Sequence, residues 1–247
     1  MSYPRLDEWL VSSGHYASRA RARDAIKRGC VSIGSDVSVK PSRSVLDPTA
    51  VKIVDPAARW VSRAALKLKE ALEKTGLSPA GKVAVDLGAS AGGFCQVLLE
   101  NGAEYVYAVE VGHGQMADRL KRNPKLNLIE GLNARDLQLE HLSGQNPEFL
   151  TSDLSFISLK LALPPALGMA AGGAQGVFLI KPQFEVGKEH LGRGGIVRNP
   201  DLARKTAEDM KEWLETNPGW QSIDLLPSPI SGGDGNTEYL LIGQKHG

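Results

Sequence analysis

The segment that most restricts what this chain can become is KVAVDLGASAGGF, residues 82–94. A run of alternating and β-branched apolar residues predicts a buried strand. It ends at Asp86, and the glycines at 88, 92 and 93 then predict a tight turn into a helix at CQVLLENG. A strand that passes through a glycine turn into a helix makes a site where backbone amides can approach a ligand closely. Beyond it, apolar strands and helical stretches alternate: YVYAVEVG, GQMADRLKR, LNLIEG, PEFLTSD, LKLALPPALGM, GVFLIK, DLARKTAEDMKEWLE, WQSIDLLPS and EYLLIG. That alternation predicts a largely parallel sheet with helices on both faces. The last two strands are joined only by PISGGDGNT, too short for a parallel crossover, so the final strand should run antiparallel. The fold class is therefore α/β, with seven strands in a Rossmann-like sheet.

The first sixty residues read differently. Leu6, Trp9 and Leu10 fall at helical spacing, and Ser18 is placed to cap a second helix, SRARARDAIKRG, which Gly29 can end. Arg19, Arg23 and Lys27 share one face of that helix, while Ala22, Ala25 and Ile26 turn inward. VSIGSDVSVKPSRSV and AVKIV read as short strands with turns at Gly34-Ser35-Asp36 and Asp47-Pro48. This part carries ten Lys and Arg against six Asp and Glu, whereas the remainder carries 19 against 22. An anionic partner for the N-terminal part is the implication, although a stripe of three cations is by itself more often a solvated face. The expected organisation is a small α+β domain over 1–57, a connector at 58–61, and the sheet domain over 62–247, with Ser62 opening its first helix.

Composition excludes several classes. The apolar run LALPPALGMAAGGA is interrupted by Pro164, Pro165 and glycines, so it cannot span a bilayer. MSYPRLDEWL has no signal-peptide layout, which makes a cytoplasmic location the expectation. Cys30 and Cys95 have no metal-ligand spacing and fall in different domains, so neither a metal nor a disulfide is expected and both read as buried thiols. The five histidines have no partner spacing for a triad. His113, just after Glu110, reads equally as a pocket residue and as a surface loop.

Asp86, Gly88, Ala89, Ser90, Gly92, Gly93 and Phe94 line the expected turn, with Gly88, Gly92 and Gly93 letting the backbone approach a ligand closely. Glu110 ends the second strand, 22 positions after Gly88, where a carboxylate can accept from both ribose hydroxyls of an adenosine. The order Asp86-x-Gly88-x-x-x-Gly92-Gly93 is not the G-x-G-x-x-G of dinucleotide enzymes and favours S-adenosylmethionine. Asp153 and Lys181 follow strands, Glu238 begins the antiparallel one, and all three should meet at the ligand edge, with Lys67 leaning over from the preceding helix. Two lysines with two carboxylates suit removal of a proton from a weak acid such as a ribose 2′-hydroxyl. Singly, Lys67 reads as a helix-surface cation, Asp153 as an N-cap and Glu238 as a strand end, whereas Lys181, directly after GVFLI and before Pro182, is in an odd place for mere solubility.

At RWVSRAALKL, DLGASAGGFCQVLLENGA, VYAVEVGHGQ, TSDLSFISL, LIKPQFEVGK, GGIVRNP and GNTEYLLIG the sequence resembles the TlyA family of rRNA 2′-O-methyltransferases, and more distantly the FtsJ/RrmJ ribose methyltransferases. Residues 3–55 resemble the αL RNA-binding motif. The resemblance implies a tetrad of Lys67, Asp153, Lys181 and Glu238, and a cofactor site that includes Asn133, Ala134 and Asp153 besides the turn and Glu110. It further implies RNA contact through Arg19, Arg23, Lys27, Arg63, Lys188 and Arg193, and ribosomal RNA or ribosomal subunits as partner, with a cytidine as substrate. Glu110 stands where the family more often has Asp, and Ala91 where it has Thr. A chain ending soon after its last strand favours one target site. Against this stand a hemolysin-type membrane protein, a non-catalytic ribosome assembly factor on the same fold, and a small-molecule methyltransferase.

Overall fold

A computed structural model describes residues 3–37 and 39–247. The chain divides into two compact units, residues 1–59 and 60–247, the cut falling inside the segment read as a connector.

In the first unit, α1 (Leu6–Ser12) and α2 (Arg19–Lys27) bury Leu6, Leu10, Ala22, Ala25 and Ile26 around a small core. Ser18 caps α2 by accepting from the Arg21 amide. β1 (Val31–Ile33) pairs antiparallel with β2 (Val51–Ile53). The sequence suggests more strand than this. Residues 39–45 bury Val39 and Val45 without regular pairing, and Pro41 removes a donor from the stretch; Ser38 lies outside the described residues.

Asp7 is fully buried at the start of α1, and its carboxylate accepts from Arg5 Nε at 3.1 Å, Arg19 Nη2 at 3.0 Å and Arg23 Nε at 2.7 Å. Two of the three cations on the α2 stripe are therefore engaged within the fold, each remaining about half exposed. Burial alone would raise the Asp7 carboxyl; the three guanidinium groups overcome it and hold the group well below the usual carboxylate range.

The second unit is a seven-stranded sheet in the order β5-β4-β3-β6-β7-β9-β8. β3 (Val83–Leu87), β4 (Tyr105–Glu110), β5 (Leu126–Glu130), β6 (Phe149–Ser152) and β7 (Gln175–Ile180) are mutually parallel. β9 (Tyr239–Lys245) runs antiparallel between β7 and β8 (Trp220–Pro227), as the short connector requires. Alternate strand residues face opposite layers. Ala84, Val106, Ala108 and Leu240 pack with Leu68 and Leu72 of α3 (Ala65–Thr75) and Phe94 and Leu98 of α4 (Gly93–Glu100). Val85, Leu87, Tyr107 and Val109 pack on the other face with Leu163, Leu167, Met210 and Leu214.

Three expectations are corrected in detail. α3 starts at Ala65 instead of Ser62, whose hydroxyl accepts from the Ala64 amide and closes a turn. The helix expected over 114–122 contracts to α5 (Asp118–Lys121). The run 159–169 forms two short helices, α6 (Leu159–Ala162) and α7 (Pro164–Met169), because Pro164 lacks the amide that a continuous helix needs and instead starts a new one. α8 (Pro200–Glu215) then leads into β8.

Asp7→Asn should destabilise the first unit at neutral pH by on the order of 2 kcal/mol, since charge-assisted hydrogen bonds to arginine become neutral ones. Because the folded-state group titrates below its unfolded value, the stabilisation is complete above about pH 4 and declines as pH falls further. Amide exchange in α1 and α2 as a function of pH checks both points; equal protection in wild type and variant at pH 7 would contradict them.

Candidate active site

Strand order reverses between β3 and β6, so the connections that leave these paired neighbours run to opposite sides and leave a crevice at their carboxyl edge. Gly88 sits there at φ +83°, and a Cβ on it would stand 2.8 Å from the Asp153 carbonyl oxygen. Only glycine lets the turn pass so close to the end of β6. Ser90 takes a left-handed φ of +46°; its amide donates to Glu110 Oε2 at 2.8 Å and its hydroxyl to Gln115 Oε1 at 3.0 Å.

Gly92 takes a left-handed φ of +92° at the start of α4. Its Cβ would collide with Leu120 Cδ1 and stand 2.5 Å from Met116 Sδ, so the missing side chain there makes room for packing. Gly93 similarly lies under Ser62 and the Ala65 amide.

Two adjoining cavities open on this crevice. The larger, about 820 Å³, is lined by Gly88, Ser90, Glu110, Asn133, Ala134 and Asp153 among others. The smaller, about 210 Å³, is lined by Asp86, Ala89, Gly93, Phe94 and Lys181, and shares Gly88, Ser90, Asp153 and Ser155 with the larger. Glu110 is almost fully buried and its Oε1 also accepts from the Gly112 amide at 2.8 Å. Two backbone amides thus fix a carboxylate in the cavity wall while leaving acceptor capacity for a diol. His113 is not among the lining residues and lies against Gly131.

The four residues of the expected tetrad come together at the same edge. Lys67 reaches in from α3, Asp153 and Lys181 follow β6 and β7, and Glu238 precedes β9. Ile180 pairs with Tyr239, so antiparallel insertion of β9 puts Glu238 beside Lys181 by construction. Lys67 Nζ stands 2.6 Å from Glu238 Oε2, an ion pair without hydrogen-bond alignment, and 3.8 Å from Asp153 Oδ2. Lys181 Nζ stands 2.6 Å from Asp153 Oδ1 and donates to Ser155 Oγ at 2.8 Å. Lys67 and Glu238 are buried, while Asp153 and Lys181 are partly open to the crevice. The row of alternating charge has no net charge, and its open end is a lysine.

Asp86 lies beneath the glycine turn, 1% exposed, accepting from Thr151 Oγ1 at 2.8 Å and from Cys95 Sγ at 3.0 Å. Burial pushes its carboxyl up to about 6, against the two hydrogen bonds, and pushes the Cys95 thiol well above its ordinary value. Cys95 is buried as expected; Cys30 is only partly so, and both are free. Arg63 is half-buried just ahead of α3, and Lys188 and Arg193 are exposed on the segment after Lys181. Ser155, Thr151 and Glu185 escape sequence reasoning. Glu185 accepts from Ser158 Oγ at 2.5 Å and the Leu159 amide at 2.8 Å, holding the loop that carries Ser155. The weak signal was polar density in TSDLSFIS and KPQFE.

Comparison with known proteins bears on this geometry. The model of FtsJ-like methyltransferases matches residues 60–245. The 16S/23S rRNA (cytidine-2′-O)-methyltransferase TlyA of Mycobacterium tuberculosis is 43% identical over 239 residues, covering 96% of this chain and 88% of its own. Hemolysin A of Brachyspira hyodysenteriae is 35% identical over 236 residues, covering 96% and 98%. A solved structure from Streptococcus thermophilus with a provisional hemolysin description has 36% identity and a TM-score of 0.77, covering 100% of this chain and 90% of its own. Among the described residues no helix is long and apolar enough to cross a membrane, and no group of side chains could hold a metal ion.

The buried acid under the turn generates a pH prediction. With the folded-state carboxyl of Asp86 raised, the folded protein holds its proton more tightly than the unfolded chain, so this group lowers stability as pH rises from about 4 to about 6. Asp86→Asn should remove that decline while preserving an acceptor for Thr151. Denaturant titrations across this window check it; parallel wild-type and variant curves would contradict the burial argument.

Proposed function

The chain belongs to the family of FtsJ-like methyltransferases, and on that premise we propose that it methylates a ribose 2′-hydroxyl of ribosomal RNA, at a cytidine, using S-adenosylmethionine. The observation that carries the reading is the alternating row Glu238, Lys67, Asp153, Lys181, with Asp153 in the wall of both cavities and its lysine end in the wall of the smaller one.

When bound, the cofactor supplies an electrophilic methyl group. Its site fits: the side-chain-free Gly88 leaves the turn's backbone accessible, Glu110 offers an anchored carboxylate for a ribose diol, and Asn133 and Ala134 form the wall where an adenine would lie. Asp86 stands behind the turn, with Ala89, Ser90 and Phe94 beside it. Gly92 and Gly93 serve this site by letting α4 and its neighbours pack.

A ribose hydroxyl is a poor nucleophile until its proton is removed or polarised. Lys181, held between Asp153 and Ser155, is placed to take or polarise that proton. Asp153 holds the lysine in place. Lys67 pairs closely with Glu238 and lies within 4 Å of Asp153, so that neither carboxylate stands as an isolated charge in a largely buried site.

RNA contacts fall to the basic residues outside the tetrad. Lys27 and the exposed parts of Arg19 and Arg23 would bind phosphate from the N-terminal, αL-type unit; Arg63, Lys188 and Arg193 would do so from the second. The hemolysin name attached to one relative leads to no membrane mechanism here. A small-molecule substrate leaves the basic residues without purpose, and a non-catalytic assembly factor leaves the ion row without one.

Lys181→Ala should bind both ligands and lose about 10²–10⁴ in the single-turnover methylation rate, some 3–5 kcal/mol of transition-state stabilisation. Lys181→Arg keeps the charge and cannot release a proton near neutral pH, so it should fail equally. Near wild-type rates for the alanine variant would remove Lys181 as base; partial rescue by arginine would reduce its role to charge.

A further inference from the structure

Segment 187–198, GKEHLGRGGIVR, leaves Lys181 after only a few residues, yet contains no strand or α-helix. It has two three-residue 3-10 turns and one isolated bridge, Leu191 to Val197, and Gly194 and Gly195 both take positive φ. Little of it is buried. Ordering the backbone of such a segment costs roughly 1–2 kcal/mol per residue, which its own contacts do not offset.

What ties it down is Asn236. This side chain is 3% exposed; its Oδ1 accepts from the Val197 amide at 3.0 Å and its Nδ2 donates to the Gly195 carbonyl at 3.1 Å. A carboxamide presents one donor and one acceptor side by side, as a peptide group does, so it grips the turn as a neighbouring strand would. Aspartate lacks the donor and alanine lacks both. The Asn236 carbonyl also accepts from the Gly232 amide, and Glu238 lies two residues further on. One short stretch therefore carries both a tetrad carboxylate and the clamp on the segment that started beside Lys181.

The clamped segment holds three exposed cations, Lys188, Arg193 and Arg198. Among the described residues none of the three is paired with a carboxylate, in contrast to Arg19 and Arg23 on Asp7. Free, exposed cations fixed at a ligand edge suit a phosphate backbone.

We propose that Asn236 is a positioning residue that docks segment 187–198 onto the loop carrying Glu238, and thereby holds Lys188, Arg193 and Arg198 as a phosphate-binding surface for RNA beside the tetrad. The proposal rests on the RNA reading given above and adds to it Arg198 and the clamp. A buried asparagine with a merely structural role would, when replaced, lower stability and the affinity for every ligand together.

The test measures binding of the full chain to deproteinised 16S and 23S rRNA across a series of salt concentrations, S-adenosylmethionine binding by calorimetry, and the rate of tryptic cleavage after Arg193 and Arg198. Asn236→Ala should weaken RNA binding about tenfold or more and flatten the salt dependence, by about 0.7–0.9 in log–log slope for each phosphate that is no longer neutralised. Cofactor affinity should stay within about twofold, and cleavage of the segment should accelerate. Changing Lys188, Arg193 and Arg198 together to Ala should flatten the slope similarly, and adding Asn236→Ala to that triple variant should weaken binding little further. Asn236→Asp, which keeps the acceptor, is a milder variant with the same expected direction. An unchanged salt slope in both Asn236 variants, a parallel loss of cofactor affinity, or full additivity with the triple variant would overturn the proposal. Methyl transfer is not among these readouts, so an inactive wild type would overturn the enzymatic reading while leaving this result to stand or fall separately.

Discussion

Lys67 and Glu238 are both almost out of water and stand 2.6 Å apart, and neither could occupy its place without the other. An unpaired buried charge costs several kcal/mol, so this pair constrains everything that brings it together. α3 must lie across the sheet edge with Lys67 pointing down, and β9 must enter antiparallel beside β7, because only that direction puts its first residues at the edge where parallel strands end. Such a pair is a poor source of stability compared with apolar packing. Its presence makes sense if the site needs a fixed row of charge whose last member, Lys181, is reachable.

The same economy of buried charge recurs with different outcomes. Asp7 stays ionised because three arginines surround it, and the consequence is a rigid junction between α1 and α2. Asp86 has only a hydroxyl and a thiol to meet it, and burial drives its carboxyl toward the neutral form. One acid is thus a structural anchor that engages cations which stay about half exposed. The other lies at the wall of the smaller cavity, where a cationic ligand would favour its ionised form.

Most of the architecture was readable from pattern alone. The strand, glycine turn and helix at 82–100 follow from periodicity and turn chemistry, and the antiparallel final strand follows from a connector too short to cross over. Lys181 stood out because a cation directly after GVFLI has no solubility purpose. What stayed hidden depends on partners distant in sequence. Nothing local tells that Arg19 and Arg23 close on Asp7, that Thr151 and Cys95 meet on Asp86, or that Asn236 grips a turn some forty residues earlier. A second constraint on Gly92 stayed hidden for the same reason: its missing side chain leaves room for Met116 and Leu120. Helix starts were imprecise where a serine such as Ser62 closes a turn of its own before the helix begins.

The central claim is chemical: the methyl group goes to a ribose oxygen of ribosomal RNA. Purified protein incubated with unmethylated rRNA and methyl-labelled S-adenosylmethionine, followed by complete alkaline hydrolysis, addresses it directly, because alkali cleaves RNA through a free 2′-hydroxyl. The account predicts label in an alkali-resistant dinucleotide whose 5′ residue is cytidine. Label released entirely in mononucleotides would mean methylation of a base, and no transfer of label at all would mean that the charged row serves something other than this reaction; either result would contradict it.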